Sequence, residues 1–270
     1  MLSPATLLNL LTPTGGVRVQ TGLSYGPGAR QTLDLYLPKD DAGAPLIVFV
    51  YGGSWQRGDK KTYKFAASAL ARRGLMVAVP DYALYPEARF PTFLEDVAAA
   101  VAWARANAAT SADGPRRLVL MGHSAGAHIA AMLAFDSRWL LRHGLDPRRD
   151  ISGFVGLAGA YDFLPIVDPV IKVIFQHPEP ASTQPISYVE GGEAPVFLGI
   201  APADTVVRPG NSERLAARLR GKGSPVELKS YPRTDHLSLI GSLSPWLGFL
   251  APVTDDVEAF VKALPPAPRR

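Results

Sequence analysis

The strongest constraint on this chain is an apolar run that ends in a five-residue turn. Leu118-Val119-Leu120-Met121 leads directly into Gly122-His123-Ser124-Ala125-Gly126, and that into Ala127-His128-Ile129-Ala130-Ala131-Met132-Leu133. A short, wholly apolar run reads as a strand covered on both faces, and the Ala-rich run as a helix. A strand that becomes a helix within five residues brings the two elements close together, which small residues at both ends of the turn allow. Ser124 then sits at the apex, its hydroxyl exposed and a helix N-terminus behind it. In that context the Gly-x-Ser-x-Gly pattern reads as a nucleophile motif. The alternative for the same residues is an ordinary strand-to-helix turn with Ser124 as N-cap.

The rest of the chain alternates short apolar runs with longer helical stretches, as a largely parallel sheet requires. Strands are expected at Arg30 to Leu37, Pro45 to Tyr51, Leu75 to Val79, Arg117 to Met121, Ile151 to Leu157, Pro195 to Ile200 and Val226 to Tyr231. The first of these alternates in part, as an edge strand with one wet face does. Helices are expected at Lys61 to Arg73, Thr92 to Ala108, Ala125 to Phe135, Asn211 to Leu219 and Asp255 to Leu264. Thr92 and Glu95 have capping-box spacing, and Val97, Val101 and Ala104 share one helical face. Residues 162–194 are broken by Pro165, Pro169, Pro178, Pro180 and Pro185, which predicts a small cap or loop insertion over the carboxyl edge of the sheet. The expectation is one α/β domain over residues 1–270, with helices on both faces of a mostly parallel sheet.

A serine hydroxyl needs a base to take its proton, and the base needs an acid to orient it. Of five histidines, His236 follows the last expected strand on a loop. His123 and His128 flank the serine and read as structural or supporting groups, while His143 and His177 have no helpful neighbours. Asp204 lies just past the carboxyl end of a buried strand, where a parallel sheet presents its site residues. Asp162 follows another strand and is its rival; Asp235 adjoins His236 but is poorly placed to reach its ring. The chain order Ser124, Asp204, His236 is the order used by one family of folds. Tyr51-Gly52-Gly53-Ser54-Trp55 follows a buried strand and reads as an oxyanion loop, with Gly53, Ser54 and Ala125 as N–H donors.

Composition closes off other chemistries. The chain has no cysteine, which excludes disulfides, thiolate catalysis and cysteine-bound zinc, and fits a reducing, cytoplasmic setting. A net charge of +4 without a basic stripe argues against nucleic acid. Lys and Arg are scattered, apart from short clusters such as Arg148-Arg149 and Arg269-Arg270. Met1 to Pro13 reads as a packing segment in the form of a short helix, with a signal peptide as the alternative. The stretch Leu237 to Pro252 is too short and too broken to span a bilayer. No residue pattern specifies an oligomeric state, a metal site or an organic cofactor.

Together these segments resemble the α/β-hydrolase superfamily, and within it the carboxylesterases of the His-Gly-Gly-x-Trp type, a group similar to feruloyl and acetyl-xylan esterase-like proteins and to kynurenine formamidases. The resemblance runs from about Asp34 to Val261. It takes in Gly58-Asp59-Lys60, Asp81-Tyr82-Ala83-Leu84-Tyr85-Pro86-Glu87, Phe90-Pro91, Leu94-Glu95-Asp96-Val97 and Gly159-Ala160-Tyr161-Asp162. It implies a triad of Ser124, Asp204 and His236, an oxyanion hole of Gly53, Ser54 and Ala125, and architectural roles for Asp81, Asp96 and Asp162. Tyr51 departs from it, standing where the family usually has His, with consequences expected for the loop or the pocket floor.

The expected activity is hydrolysis of short- to medium-chain carboxylic esters, small soluble molecules, through an acyl-enzyme. Trp55, Tyr85, Phe163 and Trp246 are candidate pocket residues. An arylformamidase acting on N-formylkynurenine would use the same parts, and a non-catalytic ligand-binding protein on the same fold is the reading from a different class.

Overall fold

The computed structural model describes residues 4–13, 15–111 and 114–266. Residues 1–3 of the apolar N-terminal segment and the Arg269-Arg270 cluster lie outside the described residues. Within the remainder of that segment, Pro4–Leu11 is a helix.

Among the described residues ten strands follow in chain order: β1 (Val17–Ser24), β2 (Thr32–Pro38), β3 (Leu46–Val50), β4 (Met76–Pro80), β5 (Thr110–Ser111), β6 (Gly114–Pro115), β7 (Leu118–His123), β8 (Gly153–Leu157), β9 (Val196–Ile200) and β10 (Val226–Ser230). Strands β5 and β6 pair only with each other; the other eight form one sheet in the order β1-β2-β4-β3-β7-β8-β9-β10. From β4 to β10 every pairing is parallel, while β2 runs antiparallel to both β1 and β4. This is the α/β-hydrolase fold. Strands β3, β4, β7, β8 and β9 are buried at every residue, which is why their sequences run apolar without alternation.

Two local expectations are corrected. The stretch from Arg30 to Leu37 is not an edge: β1 lies outside it, and all but the first residue of β2 is buried. Strand β1 is exposed or half-exposed throughout and carries a register shift between Gln20 and Leu23, so it lacks the alternation that marks a strand in sequence. The capping box at Thr92 is also absent. The helix Thr92–Asn107 is capped by Pro91 without a side-chain bond, and Glu95 turns outward to Arg142 at 3.3 Å. Its apolar face stands: Val97, Val101 and Ala104 are fully buried.

Over the carboxyl edge, residues 162–194 form a short helix, Pro169–Ile174, and two 3-10 turns, Pro180–Thr183 and Pro185–Tyr188. His128, on the helix Ala125–Phe135, ties them down, its Nε2 2.9 Å from the carbonyl of Thr183, and within the segment Gln184 accepts the N–H of Phe163 at 2.8 Å. Because the carbonyl can only accept, His128 donates from Nε2.

The helix after the apex, Ala125–Phe135, crosses β3 at very short range. A Cβ on Gly126 would lie 2.1 Å from the carbonyl oxygen of Val50 and 2.4 Å from that of Tyr51. Gly126→Ala should therefore lose about 3 kcal/mol, the upper end for overpacking, because two backbone carbonyls must move rather than one flexible side chain. Urea unfolding measures it, and an unchanged midpoint would show that helix and strand are not in this contact.

Candidate active site

Ser124 follows β7 at φ 55° and ψ −124°, a conformation that costs a non-glycine residue roughly 1–3 kcal/mol. Its N–H is bonded to the carbonyl of Leu157 on β8 at 3.0 Å. Among the described residues the other non-glycine positive-φ positions are Ser54, Trp55 and Ala158. Each follows the carboxyl end of a sheet strand, so the backbone strain gathers at one edge of the sheet. Such outliers persist only where surrounding structure enforces them, and they concentrate at functional sites.

His236 Nε2 lies 3.0 Å from Ser124 Oγ, and His236 Nδ1 lies 2.7 Å from Asp204 Oδ2. All three residues are buried, each exposing 4–7% of its surface. A carboxylate only accepts, so Nδ1 carries the proton and Nε2 is left as acceptor for the serine hydroxyl. Asp204 Oδ1 accepts the N–H groups of Val206 and Val207, each at 2.8 Å, which holds the carboxylate in its loop. His236 opens the short helix His236–Gly241, whose cap is Asp235. Asp235 Oδ1 accepts the N–H of Ser238 at 2.8 Å, and Ser238 Oγ accepts the N–H of Asp235 at 2.8 Å. Asp235 thus fixes the backbone of its neighbour and leaves the ring to Asp204. The Asp-x-x-Ser spacing at 235–238 was a legible capping signal.

Asp162 is engaged elsewhere. Its carboxylate pairs with Arg214, which also donates to the Asp162 carbonyl at 2.7 Å. Asn211, buried at the start of the helix Gly210–Gly221, accepts the N–H groups of both Tyr161 and Asp162 at 3.0 Å. It ties the loop after β8 to the loop that carries Asp204, a role invisible without tertiary contacts.

The Tyr51–Trp55 loop meets the serine turn edge to edge. A Cβ on Gly52 would lie 2.9 Å from Ser124 Cβ, so only glycine permits the approach. Gly53 has φ +140°, and its carbonyl accepts from Gln56 and Arg57. Among the described residues, no hydrogen bond uses the N–H of Gly53, Ser54 or Ala125 outside the helix. A cleft of about 760 Å³ is lined by Ser54, Trp55, Ser124, Ala125, Phe163 and the 205–208 loop, among others. Trp55 and Phe163 are brought together there, stacked with centroids 5.9 Å apart. Tyr85 and Trp246 are not. Tyr85 braces the loop through its N–H to the Trp55 carbonyl at 2.9 Å, and exposed Trp246 donates to the Leu11 carbonyl at 2.8 Å.

Tyr51 is fully buried and does not line the cleft. Its hydroxyl donates to Asp81 Oδ1 at 2.9 Å and accepts from Arg30 at 2.8 Å, while its carbonyl accepts the hydroxyl of Tyr82 at 2.8 Å. Asp81 also takes the N–H of Lys60 at 2.7 Å and its ammonium at 2.6 Å. Burial drives the Tyr51 phenol far above its ordinary range, with Tyr82 and Asp81 adding to the rise, so it stays protonated and remains a donor. Asp96 is structural as well, accepting from Gln31 at 2.7 Å and from the N–H of Ala83 at 2.8 Å. The architectural expectation for Asp81 and Asp96 matches these contacts. The roles of Arg30 and Lys60 were not legible.

The family model described as BD-FAE matches residues 33–168. Isoprenylcysteine alpha-carbonyl methylesterase of Arabidopsis thaliana is 33% identical over 155 residues, 56% of this chain and 36% of its own length. The chain thus matches only about a third of that plant enzyme. Kynurenine formamidase of Salmo salar is 27% identical over 228 residues, 81% of this chain and 75% of its own. Among solved structures, esterase B from Lactobacillus rhamnosis superposes with a TM-score of 0.79 at 17% identity, covering 96% of this chain and 91% of that one, a likeness of fold.

Two outcomes follow from this geometry. Tyr51→Phe leaves the Asp81 carboxylate and the Arg30 guanidinium each short of one partner, and should cost about 1–3 kcal/mol in urea unfolding. An unchanged stability would show that the hydroxyl is not holding this network. Burial lowers His123 to about 3 and His128 to about 4, from an ordinary value of 6.5. Below pH 6.5 the unfolded chain takes up protons that the folded chain refuses. This contribution to stability is therefore present above pH 6.5 and is lost as pH falls from there toward 4. Each histidine should add roughly 1 kcal/mol per pH unit to the slope, and His128→Gln should flatten it by one proton's worth in unfolding midpoints from pH 8 to 5.

Proposed function

The chain belongs to the BD-FAE family, and on that premise we propose that it is a serine carboxylesterase cleaving short- to medium-chain carboxylic esters through an acyl-enzyme. The observation that carries this reading is the unbroken line from Asp204 through His236 to Ser124, with contacts of 2.7 and 3.0 Å.

In this mechanism His236 Nε2 takes the hydroxyl proton as Ser124 Oγ bonds to the ester carbonyl carbon. Asp204 stabilises the imidazolium and keeps Nδ1 pointed at itself. The N–H groups of Gly53, Ser54 and Ala125 receive the oxyanion; losing one such donor typically costs roughly 10²–10³ in rate. Collapse breaks the bond to the alkoxy group, which leaves as the alcohol with the proton from His236. Water then loses a proton to His236, adds to the acyl carbon and releases the carboxylic acid and the free serine. Trp55 and Phe163 would take the apolar part of the substrate, and residues 162–194 would serve as a small cap within a single domain.

The salmon formamidase likeness spans most of the chain, which supports formamide cleavage as the second reading. The same proton transfers would serve an amine leaving group. Initial rates on p-nitrophenyl acetate, butyrate and octanoate beside N-formylkynurenine separate the two. The expected order is acetate and butyrate above octanoate, with the formamide far below. Efficient formamide turnover beside feeble ester turnover would replace the esterase reading. Ser124→Ala should cut kcat by at least about a thousandfold, and adding His236→Ala should cost little more, because triad members act as a unit. A fluorophosphonate probe that leaves folded protein unlabelled at Ser124 would sink both enzymatic readings in favour of a binding protein.

A further inference from the structure

His123 is a buried titratable residue that the mechanism leaves unused. It exposes 2% of its surface, and its ring centroid lies 4.8 Å from that of His236. Its Nε2 is 3.2 Å from the backbone carbonyl oxygen of His236. A carbonyl only accepts, so the proton must be on Nε2. Nδ1 has no hydrogen bond among the described residues and faces the oxyanion loop, where a Cβ on Gly52 would lie 3.1 Å away. A proton on Nδ1 as well would be a buried donor without a partner beside another imidazole. Burial, and next the nearby His236, hold His123 neutral. One tautomer remains, with its single N–H aimed at the backbone of the residue whose ring meets the serine.

We propose that His123 is a positioning residue for the general base, its Nε2–H holding the His236 carbonyl and thereby setting the reach from the His236 ring to Ser124. This rests on the reading of His236 as that base. The contacts form a closed circuit: His123 is bonded covalently to Ser124, the His123 ring holds the His236 backbone, and the His236 ring returns to Ser124 Oγ at 3.0 Å. Nucleophile and base are thus referenced to the same two consecutive residues. If the end of β7 shifts, both move together. A side chain serving only to fill space would need no donor here, since the surroundings include the ring of Tyr63 at 6.4 Å and Gly52.

The test compares His123→Leu, which fills space without a donor, with His123→Gln, whose side-chain amide can replace Nε2–H. His123→Leu should lower kcat on p-nitrophenyl butyrate about 10- to 100-fold while KM moves less than about threefold, as expected when a base is misplaced by part of an ångström. His123→Gln should retain kcat within about threefold of the parent. Melting temperatures of both variants are measured alongside, since a role in packing alone would lower kcat and stability equally in the two. Equal kcat in the two variants overturns the proposal. On the parent protein, ¹⁵N-histidine NMR, with the His123 signals identified by their loss in His123→Gln, should show the Nε2–H tautomer at pH 7. An Nδ1–H tautomer overturns the proposal even if His123→Leu fails to fold. Ser124→Ala separates the two layers: full activity there removes the triad reading itself, whereas an inactive Ser124→Ala beside a fully active His123→Leu removes only the positioning role.

Discussion

The whole site depends on one close crossing, where the helix after Ser124 presses Gly126 onto the carbonyls of Val50 and Tyr51. No side chain fits at that point. Strands β3 and β7 are paired neighbours in the sheet, and the crossing lets the Gly52-Gly53 loop and the Ser124 turn at their ends share an edge. It also forces the tight turn at Ser124, with its positive φ. Ser124 stands at the N-cap position of that helix, yet its hydroxyl forms no capping bond and turns to His236 at 3.0 Å.

Strain of this kind needs a rigid surround. Behind the Gly52-Gly53 loop, the Asp81 carboxylate gathers Tyr51, Lys60 and, at 3.8 Å, Arg30. A buried ion pair is weak support for stability by itself, because desolvation offsets most of the attraction. Here the pair is completed by a phenol and a backbone N–H, and the phenol belongs to the first residue of the loop. Tyr51 consequently acts on the loop from behind. Its size is accommodated by the stacked rings of Tyr82 and Tyr63, at 4.8 and 5.7 Å, and the floor of the cleft is left to Trp55 and Phe163.

Much of this was legible in one dimension. Buried parallel strands must be apolar at every position, so β3, β4, β7, β8 and β9 could be read directly. Ser124, Asp204 and His236 each stand just beyond the carboxyl end of a strand, where a parallel sheet exposes its loops. Failures occurred where the local signal was weak or ambiguous. Strand β1 is wet on both faces and has no alternation to detect. Thr92 and Glu95 have the right spacing for a capping box, but Glu95 finds Arg142 instead. Trp246 is aromatic and follows His236 closely, yet it packs toward Leu11, away from the cleft.

By itself, the sequence determined the fold class and put Ser124, His236 and two rival carboxylates, Asp204 and Asp162, beyond strand ends, because hydrophobic period and strand-end position are local properties of the chain. Only the tertiary structure decided between Asp204 and Asp162, since that choice depends on which carboxylate another residue claims first: Arg214 holds Asp162, and two backbone N–H groups aim Asp204 at His236. It alone also decided the tautomer of His123 and the partners of Tyr51. Hydrogen-bond direction is set by whichever donor or acceptor the fold brings within about 3 Å, and residues as distant along the chain as His123 and His236 or Tyr51 and Asp81 carry no mark of each other until they meet.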